Sequence, residues 1–319
     1  MEKKNILITG GAGFIGSNLV EALLNDKRVN KVRVVDNLST GFRKNINEFE
    51  KKSDFEFVWG DIRDINTCMK ACEGIDIISH QAALGSVPRS INDPVNTNSN
   101  NITGTLNIFT AAKESGIKRI VYAASSSTYG DSKTLPKVED NIGKPLSPYA
   151  ITKLVSELYA NVFGDLYNME LIGLRYFNVF GPKQDPHGAY AAVIPLFFKA
   201  ALEGKPATIN GDGTYSRDYT FVANAVQANI KALFTKNNKA LNEVYNIACG
   251  ERTDLNELWS YICETVNVKI EANHGPNRAG DIPHSLADVS KARKLLEYNP
   301  NIKVKNGLER AYNWYKNNL

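Results

Sequence analysis

The sequence has few cysteines, no long apolar run and no block of like charge, and each absence excludes a class of protein. Its 319 residues include only four cysteines, which are scattered along the chain. Cys68 and Cys72 lie one helical turn apart, but no nearby histidine or second cysteine pair completes a metal site. We therefore expect buried free thiols in a reducing cytoplasm, and no bound metal.

Charge and hydropathy argue against two further classes. The chain has 38 basic and 34 acidic residues without a long run of either sign, which argues against a nucleic-acid or membrane-binding surface. No stretch approaches the roughly 20 apolar residues of a membrane span. The charged residues 2–4 lead straight into a short apolar segment, so we expect no signal peptide. The length allows one large domain with an appended lobe.

A glycine-rich turn follows the first apolar segment. Residues 5–8 predict a strand, and a helix is expected from residue 17 to about residue 25. The glycines between them read both as G-x-G-x-x-G and as G-x-x-G-x-x-G, in the strand-to-helix context that makes such a motif informative. Glycine permits the tight turn and lets backbone amides approach a pyrophosphate. We therefore expect a dinucleotide to bind at Gly10, Gly13, Phe14, Ile15 and Gly16.

The residue that ends the second predicted strand indicates which dinucleotide binds. Residues 32–35 predict this strand, and Asp36 follows Gly11 by 25 residues, where an acid bonds the adenosine ribose hydroxyls. A carboxylate would repel a 2′-phosphate, and Asn37 rather than an arginine comes next. The expected cofactor is therefore NAD and not NADP.

Strands and helices alternate through the first half of the chain. Further strands are predicted at residues 56–59, 76–80, 119–124 and 170–176, with helices at 101–115 and from Ser147 onward. This alternation is typical of an α/β fold with a Rossmann-type, doubly wound parallel sheet. His80 ends the fourth strand without neighbouring ligands, so we interpret it as structural.

The pattern changes after residue 178, where loops, prolines and polar residues prevail. Helices are predicted at residues 194–203, 222–234, 254–266, 290–296 and 307–316, and a returning strand at 243–248. We expect residues 1–176 and 223–249 to form the NAD-binding domain. Residues 177–222 and 250–319 are expected to form a smaller C-terminal α/β lobe that binds the substrate.

Tyr149 and Lys153 are the best candidates for chemistry. Ser147 is a good helix N-cap and Pro148 suits the first helical position, so the spacing of four places Tyr149 and Lys153 on one face of a helix. A lysine ammonium beside a phenol stabilises the phenolate and should lower the tyrosine pKa. The same spacing also occurs in ordinary amphipathic helices. Ser125, which follows the apolar residues 120–124, adds a hydroxyl at the end of a strand.

A strand-end serine, a tyrosine and a lysine in this order resemble the catalytic set of the short-chain dehydrogenase/reductase superfamily. With the glycine turn and Asp36, the whole chain resembles the extended, nucleotide-sugar branch of that superfamily. The resemblance implies that Asp61 and Ile62 flank the adenine of NAD. It also implies that Gln81, Ala82, Ala83 and Tyr176 lie on the nicotinamide side, together with Tyr149 and Lys153.

The residues after Ser125 distinguish between reactions within this branch. Dehydratases carry Asp-Glu there, and elimination of water needs that acid, whereas this chain has Ser126 and Ser127. The sequence therefore indicates epimerisation. Long runs resemble the UDP-N-acetylglucosamine 4-epimerases of bacterial polysaccharide pathways, at residues 81–90, 123–130, 174–181, 188–195, 209–213 and 278–281. In that family a 4-keto sugar forms, rotates and is reduced on its other face.

The resemblance also implies where the UDP-sugar binds. Arg217 and Arg278 could hold the diphosphate, since guanidinium groups bond phosphate oxygens, although exposed arginines also form solvated ion pairs. Ser285 matches a position where many epimerases restricted to UDP-glucose and UDP-galactose carry a tyrosine; alternatively it is a turn residue. The expected substrate site comprises Gly85, Ser86, Ser125, Ser126, Ser127, Tyr149, Asn178, Ala192, Val193, Asn210, Arg217, Arg278, Asp281 and Ser285.

Assembly and alternatives complete the sequence-based expectations. The helix at residues 101–115 is apolar on several faces, so we expect it to join the tyrosine helix in a four-helix homodimer interface, as in the family. One alternative is a 4-epimerase that prefers UDP-glucose or a UDP-N-acetylhexosaminuronic acid. Another is a non-catalytic NAD-binding regulator, which the intact Ser125, Tyr149 and Lys153 argue against.

Overall fold

The structure, a computed structural model, describes residues 2–185, 192–276 and 282–319. Within these ranges, seven strands of four to eight residues form a central sheet, and six strands of two or three residues lie outside it. In chain order the strands are β1 (Lys4–Thr9), β2 (Val29–Asp36), β3 (Phe55–Trp59), β4 (Ile77–His80), β5 (Arg119–Ser125), β6 (Glu170–Tyr176), β7 (Val179–Phe180), β8 (Thr208–Asn210), β9 (Ser216–Arg217), β10 (Thr220–Phe221), β11 (Glu243–Ile247), β12 (Thr253–Asp254) and β13 (Asn273–Gly275).

The helices separate these strands and carry much of the core. They are α1 (Phe14–Leu24), α2 (Ile65–Cys72), α3 (Val87–Asn92), α4 (Pro94–Asn98), α5 (Gly104–Glu114), α6 (Pro148–Tyr167), α7 (Val193–Leu202), α8 (Val222–Leu233), α9 (Leu255–Val266), α10 (Ser290–Leu296) and α11 (Val304–Asn318). None of the helices in the described part of the chain is long and apolar enough to cross a membrane.

Seven strands form one parallel sheet in the order β11-β6-β5-β4-β1-β2-β3. The chain builds outward from β1 through β2 and β3, and then continues with β4 on the other side of β1. The strand order therefore reverses between β1 and β4. In open α/β sheets this reversal opens a crevice at the carboxyl ends of the strands, where ligands bind. The predicted doubly wound parallel sheet is confirmed.

The two faces of the sheet are covered by different helices, and β1 shows why. Ile6 and Ile8 are fully buried on the face packed by α1 and α8, whereas Leu7 is fully buried on the face packed by α2, α5 and α6. Successive side chains of a strand point to opposite faces, and a sheet covered on both faces needs apolar residues at every position. The continuous run of apolar residues in β1 thus predicts a central strand.

Several helix boundaries differ from the sequence-based expectation, and two of the differences lie near the cavity. Helix α1 begins at Phe14 and not at Ser17, because Gly13 adopts an extended N-cap conformation and its carbonyl already accepts from the Ser17 amide at 3.0 Å. The helix expected at residues 101–115 is α5, which is preceded by a π-type turn at Ser99–Thr103. In that turn the Asn100 side chain donates to the Asn96 carbonyl at 2.8 Å, which competes with a regular backbone bond.

The remaining elements form the region that we expect to bind substrate. Helices α7, α9 and α11 pack on one another, and the short strands pair as β7 with β10, β8 with β13 and β9 with β12. Within residues 223–249, β11 is the outermost strand of the central sheet next to β6. The division into two domains stays a prediction. All four cysteines are buried free thiols, as predicted.

Candidate active site

A cavity of about 610 Å³ opens at the carboxyl ends of β1, β4 and β5, at the reversal of strand order. Its volume falls within the range of about 300–1,000 Å³ that is common for small-molecule sites. Most of the residues predicted to bind cofactor line it: Gly10, Gly13, Phe14, Ile15, Gly16, Asp36, Asn37, Ile62, Gln81, Ala82, Ala83, Tyr149, Lys153 and Tyr176. The cavity therefore unites residues that are far apart in the sequence.

The glycine turn forms one wall of the cavity without side chains. A Cβ atom on Gly16 would lie 2.2 Å from the Gly10 carbonyl oxygen, and one on Gly10 would lie 2.7 Å from the backbone of Ala82. Gly10 also has a φ of +69°, a conformation that favours glycine. No side chain caps the start of α1, where Gly13 is the N-cap residue. The bare turn and the uncapped helix start fit the pyrophosphate of a dinucleotide.

Asp36 lies at the adenosine end of the cavity with a fixed carboxylate. One oxygen accepts from the Ala12 amide at 2.9 Å and the other from the Leu38 amide at 2.8 Å. Burial raises the pKa of this carboxyl group, and the two backbone hydrogen bonds oppose that change. Each oxygen retains a lone pair for a ribose hydroxyl. This geometry fits the role expected for Asp36.

Asp61 lies behind the cavity wall and not on it. Its carboxylate accepts from the Asn37 side chain at 2.9 Å and pairs with Arg63 at 2.6 Å, which holds its pKa at about 2. Asn37 and Ile62 do line the cavity. That Asp61 and Ile62 flank the adenine stays a prediction; in the structure the Asp61 carboxylate orients Asn37.

A hydrogen-bonded group at the nicotinamide end was only partly predicted. The Tyr176 hydroxyl donates to the Gln81 side chain at 3.0 Å, and the Asn229 side chain donates to the same hydroxyl at 2.7 Å. Gln81 in turn donates to Asn229 and to Ser79 at 3.0 Å each. Sequence reasoning missed Asn229, although an asparagine on the buried side of the apolar helix α8 is a signal of such a role.

Ser125, Tyr149 and Lys153 meet where β5 ends beside the start of α6. The Ser147 hydroxyl accepts from the Ala150 amide at 3.1 Å and caps α6, as predicted. The Ser125 hydroxyl is hydrogen-bonded to the Tyr149 hydroxyl. Lys153 donates from Nζ to the Ala123 carbonyl at 2.7 Å, and this nitrogen lies 5.9 Å from the centre of the Tyr149 ring. A proton could thus be exchanged at a substrate hydroxyl that reaches Ser125 and Tyr149.

The expected lowering of the tyrosine pKa is wrong for the chain by itself. Burial raises the pKa of Tyr149, and the hydrogen bond from Ser125 only partly opposes this. Burial also lowers the pKa of Lys153 to about 8, against the charge of Glu157. The physical reason is that both groups are removed from water, and burial disfavours the charged form of each.

His80 is structural, as its sequence context predicts. Its ring nitrogens lie 2.7 Å from the Thr9 hydroxyl and 2.9 Å from the Thr105 hydroxyl. Burial, aided by the charge of Lys153, lowers its pKa to about 3, so the ring is neutral at physiological pH. It links the glycine turn to α5 and does not reach the cavity.

The residues predicted to bind substrate divide into three groups. Gly85, Ser86, Ser125, Ser126, Tyr149, Asn178 and Ala192 line the cavity, whereas Ser127, Val193, Asn210, Arg217 and Ser285 lie outside its described wall. Arg278 and Asp281 lie outside the described residues. Sequence reasoning also missed Arg89 and Gln184, which line the cavity. Arg89 is a basic residue just after the loop at residues 81–86, which is a signal that could have identified it.

Arg217 and Ser285 are held through backbone groups. The guanidinium of Arg217 donates from Nη1 to the carbonyls of Ser216 and Pro283 at 3.0 and 3.1 Å. The Ser285 amide donates to the same Ser216 carbonyl at 3.0 Å. Both residues therefore belong to one cluster around β9. Ser127 Oγ is buried and has no hydrogen-bond partner among the described residues.

Comparison with known proteins agrees with this geometry. Residues 6–248 match the model of the NAD dependent epimerase/dehydratase family. A putative UDP-glucose 4-epimerase of Methanocaldococcus jannaschii is 38% identical over 315 residues, covering 98% of this chain and 99% of the relative. The chain belongs to the NAD dependent epimerase/dehydratase family. Its cofactor is NAD, as predicted.

Two solved structures resemble the whole chain. One is a UDP-N-acetylglucosamine 4-epimerase from Methanobrevibacter ruminantium M1 in complex with UDP-N-acetylmuramic acid, at a TM-score of 0.93, 38% identity and full coverage of both chains. The other is a UDP-glucuronic acid 4-epimerase from Bacillus cereus in complex with UDP-glucuronic acid and NAD, at a TM-score of 0.89 and 34% identity. It covers 98% of this chain and 99% of its own.

Proposed function

We propose that this protein is a UDP-sugar 4-epimerase that interconverts UDP-N-acetylglucosamine and UDP-N-acetylgalactosamine. The observation that carries the proposal is the convergence of Ser125, Tyr149 and Lys153 on the cavity that the glycine turn and Asp36 also line. A proton-transferring group beside a nicotinamide site suits the reversible oxidation of an alcohol. The 4-epimerases among the similar proteins support the same reaction class.

Each residue then has a defined task. Tyr149 accepts the proton of the sugar C4 hydroxyl, which Ser125 helps to position, and later returns a proton to the 4-keto oxygen. Lys153 supplies positive charge that favours the phenolate form of Tyr149. NAD, when bound, takes up the C4 hydrogen as hydride and returns it. Because the hydride returns to the opposite face of the 4-keto sugar, the configuration at C4 inverts.

Epimerisation is favoured over dehydration by the residues beside Ser125. A dehydratase must remove a proton at C5 and protonate the leaving hydroxyl, which requires acidic side chains. Ser126 lines the cavity and Ser127 lies next to it, and neither can do so. The 4-keto sugar therefore has one outcome at this site, which is reduction.

The preference for N-acetylated sugars rests on Ser285. A small side chain at this position leaves room for a 2-acetamido group, where a tyrosine would fill the space. Ser285 is half-buried and bonded to the β9 cluster that contains Arg217. The solved UDP-N-acetylglucosamine 4-epimerase with UDP-N-acetylmuramic acid bound supports this choice.

A second candidate is a 4-epimerase for UDP-glucose or for a UDP-sugar with a C6 carboxylate. The M. jannaschii relative favours the first and the B. cereus structure the second. Purified protein should therefore be incubated separately with UDP-N-acetylglucosamine, UDP-glucose and UDP-glucuronic acid, and the products separated. We expect UDP-N-acetylgalactosamine to form fastest. Turnover of UDP-glucose alone, or of UDP-glucuronic acid alone, would favour the second candidate. A 6-deoxy-4-keto product would exclude epimerisation.

We also propose that the protein is a homodimer. An exposed apolar surface comprises Ile91 of α3, Val95 of α4, and Leu158, Val162 and Leu166 of α6, of which Val95 is 78% and Leu166 70% exposed. Helices α3 and α4 both pack against α6, and Leu158, Val162 and Leu166 recur every four residues on one face of α6. The apolar residues of α5 are buried or half-buried within the subunit, so the interface would use α3 and α4 in place of the expected helix at 101–115. Exposed apolar side chains on helices that pack together are typical of a protein interface.

A further inference from the structure

A buried ion pair lies directly behind the proton-transferring residues. Glu157 follows Lys153 by one turn of α6, so the two side chains lie on the same face of the helix. Its carboxylate pairs with Arg175 of β6 through two hydrogen bonds, of 2.9 Å from Nε and 2.7 Å from Nη2. The two side chains are only 6% and 4% exposed. Burying such a pair is costly, and the mechanism described above makes no use of it.

Arg175 is fixed on every side. It donates from Nη1 to the Glu139 carbonyl at 2.8 Å, and its guanidinium lies 4.9 Å from the centre of the Tyr129 ring. Tyr129 is held by a bond of 2.6 Å to the Asn246 side chain. These contacts hold the Arg175 guanidinium in place, and its two hydrogen bonds hold the Glu157 carboxylate in turn.

Few charges face Lys153 and the ion pair from the surrounding elements. The ionisable groups are Tyr149 on α6, His80 on β4, Tyr122 on β5, and Tyr129 and Glu139 in the segments that contact Arg175. Burial keeps His80 neutral by lowering its pKa, and keeps Tyr122 and Tyr129 neutral by raising theirs. The Glu139 carboxylate accepts a hydrogen bond from the Asn246 amide at 2.8 Å, and burial raises the pKa of this carboxyl group. Glu157 is thus the carboxylate that acts on Lys153.

We propose that Glu157, held in place by Arg175, is a positioning residue for the reaction that keeps Lys153 in its cationic form beside Tyr149. This inference rests on the proposed function and deepens it. Glu157 and Arg175 would then make proton transfer possible at neutral pH although the site is buried.

Two opposing influences on the pKa of Lys153 determine how the loss of Glu157 would change it. Burial lowers its pKa to about 8, and Glu157 opposes that change. Without Glu157 the lysine would lose its proton at a still lower pH, further from the pH at which Tyr149 loses its own. The two groups titrate as a pair, so the fraction of molecules with a tyrosine phenolate and a lysine ammonium would fall. A change of one pH unit corresponds to about tenfold in that population.

The test replaces both charges together. Removing Glu157 alone leaves Arg175 buried and unpaired, whereas replacing both members of a buried pair by apolar residues is often neutral for stability. The double variant Glu157→Leu/Arg175→Met is therefore compared with the wild-type holoenzyme. The readout is the near-ultraviolet absorbance of tyrosinate as a function of pH, from which the titration of the same protein with Tyr149→Phe is subtracted. The difference reports Tyr149 alone and requires no sugar substrate.

A second ion pair, which joins β5 to β6, provides the matched control. Arg119 of β5 and Glu170 of β6 are paired at 2.6 Å at the opposite ends of the strands from Ser125. The variant Arg119→Met/Glu170→Leu removes the same two charges far from Lys153. We expect its Tyr149 titration to match that of the wild type. The Glu157→Leu/Arg175→Met variant should titrate Tyr149 at least about one pH unit higher, with kcat at neutral pH lowered about tenfold or more and KM nearly unchanged.

An unchanged Tyr149 titration in a folded double variant would overturn the inference and leave the pair a purely structural one. If the double variant does not fold, Glu157→Gln, which keeps the shape of the side chain, is tested in the same way and judged by the same shift. The absorbance readout is independent of the sugar. If the wild-type protein epimerises no UDP-sugar, the proposed function is contradicted. The absorbance titration still decides whether Glu157 acts on Lys153 and Tyr149.

Discussion

The cofactor side of the cavity and the lobe outside the described cavity wall are built in different ways. On the cofactor side, Asp36, Ser125, Tyr149 and Lys153 are buried at the ends of a seven-stranded sheet or on the helix beside it, and each has a fixed hydrogen-bond partner. On the lobe side, which we define as Asn210, Arg217 and Ser285, the residues lie on or beside ladders of two or three residues. Isolated two-stranded ladders are marginally stable. The residues proposed for the chemistry are therefore preorganised, whereas those proposed to select the substrate lie on short and more adaptable segments.

The largest expected effect is on the cofactor side. Tyr149→Phe removes only the proton-transferring hydroxyl, so we expect kcat to fall by about 10² to 10⁴ with little change in the fold. Circular dichroism and bound NAD should stay as in the wild type. Tyr159→Phe, on the same helix, is the control and should be fully active. A Tyr149→Phe protein with most of its activity would move the proton transfer to another residue.

A substitution in the glycine turn tests whether the backbone on the cofactor side can shift without loss of NAD. In Gly16→Ala the new Cβ would lie 2.2 Å from the Gly10 carbonyl, so the turn must shift, at a cost of about 1–3 kcal/mol. We expect a large loss of the NAD released when the purified protein is denatured. Gly275→Ala, where the nearest atom would be 3.9 Å away, should retain its NAD. Equal NAD content in the two variants would contradict a preorganised turn, and release of NADP in place of NAD would contradict the role of Asp36.

A substitution on the lobe side should change substrate selectivity and leave catalysis intact. Ser285→Tyr would fill the space for an acetamido group, and overpacking of this kind costs about 1–3 kcal/mol. We expect kcat/KM for UDP-N-acetylglucosamine and UDP-N-acetylgalactosamine to fall by about 5- to 150-fold, while UDP-glucose and UDP-galactose are turned over as before or faster. Ser285→Ala should behave like the wild type. An equal loss for all four sugars would make Ser285 a structural residue.

The smallest effect on turnover is expected from the exposed apolar surface, which belongs to neither side of the cavity. Leu158→Lys/Leu166→Lys introduces like charges where two subunits would meet, so light scattering should show a monomer at micromolar concentration. Leu196→Lys changes an exposed leucine of α7 and should leave a dimer. A wild-type monomer would contradict the proposed assembly.

The same contrast explains what the sequence could predict. Strand β6 and helix α10 were predicted at their observed bounds, and the glycine turn with Asp36 identified the cofactor, because these signals are local. The start of α1 was misplaced, since the extended conformation of Gly13 allows the helix to begin inside the motif. Asn229 and Glu157 were missed because their partners, Tyr176 and Arg175, lie on another element. The predicted pKa of Tyr149 was wrong because burial is a property of the fold.

The most direct test of the central claim is to follow the hydrogen at C4. UDP-N-acetylglucosamine deuterated at C4 should be incubated with the holoenzyme, and the label in the recovered sugars located by nuclear magnetic resonance. Since the same hydride is taken up and returned within the closed site, we predict UDP-N-acetylgalactosamine that retains deuterium at C4, without net NADH formation. Loss of the label to solvent, or accumulation of NADH with a 4-keto product, would contradict a 4-epimerase in which Tyr149 moves the proton.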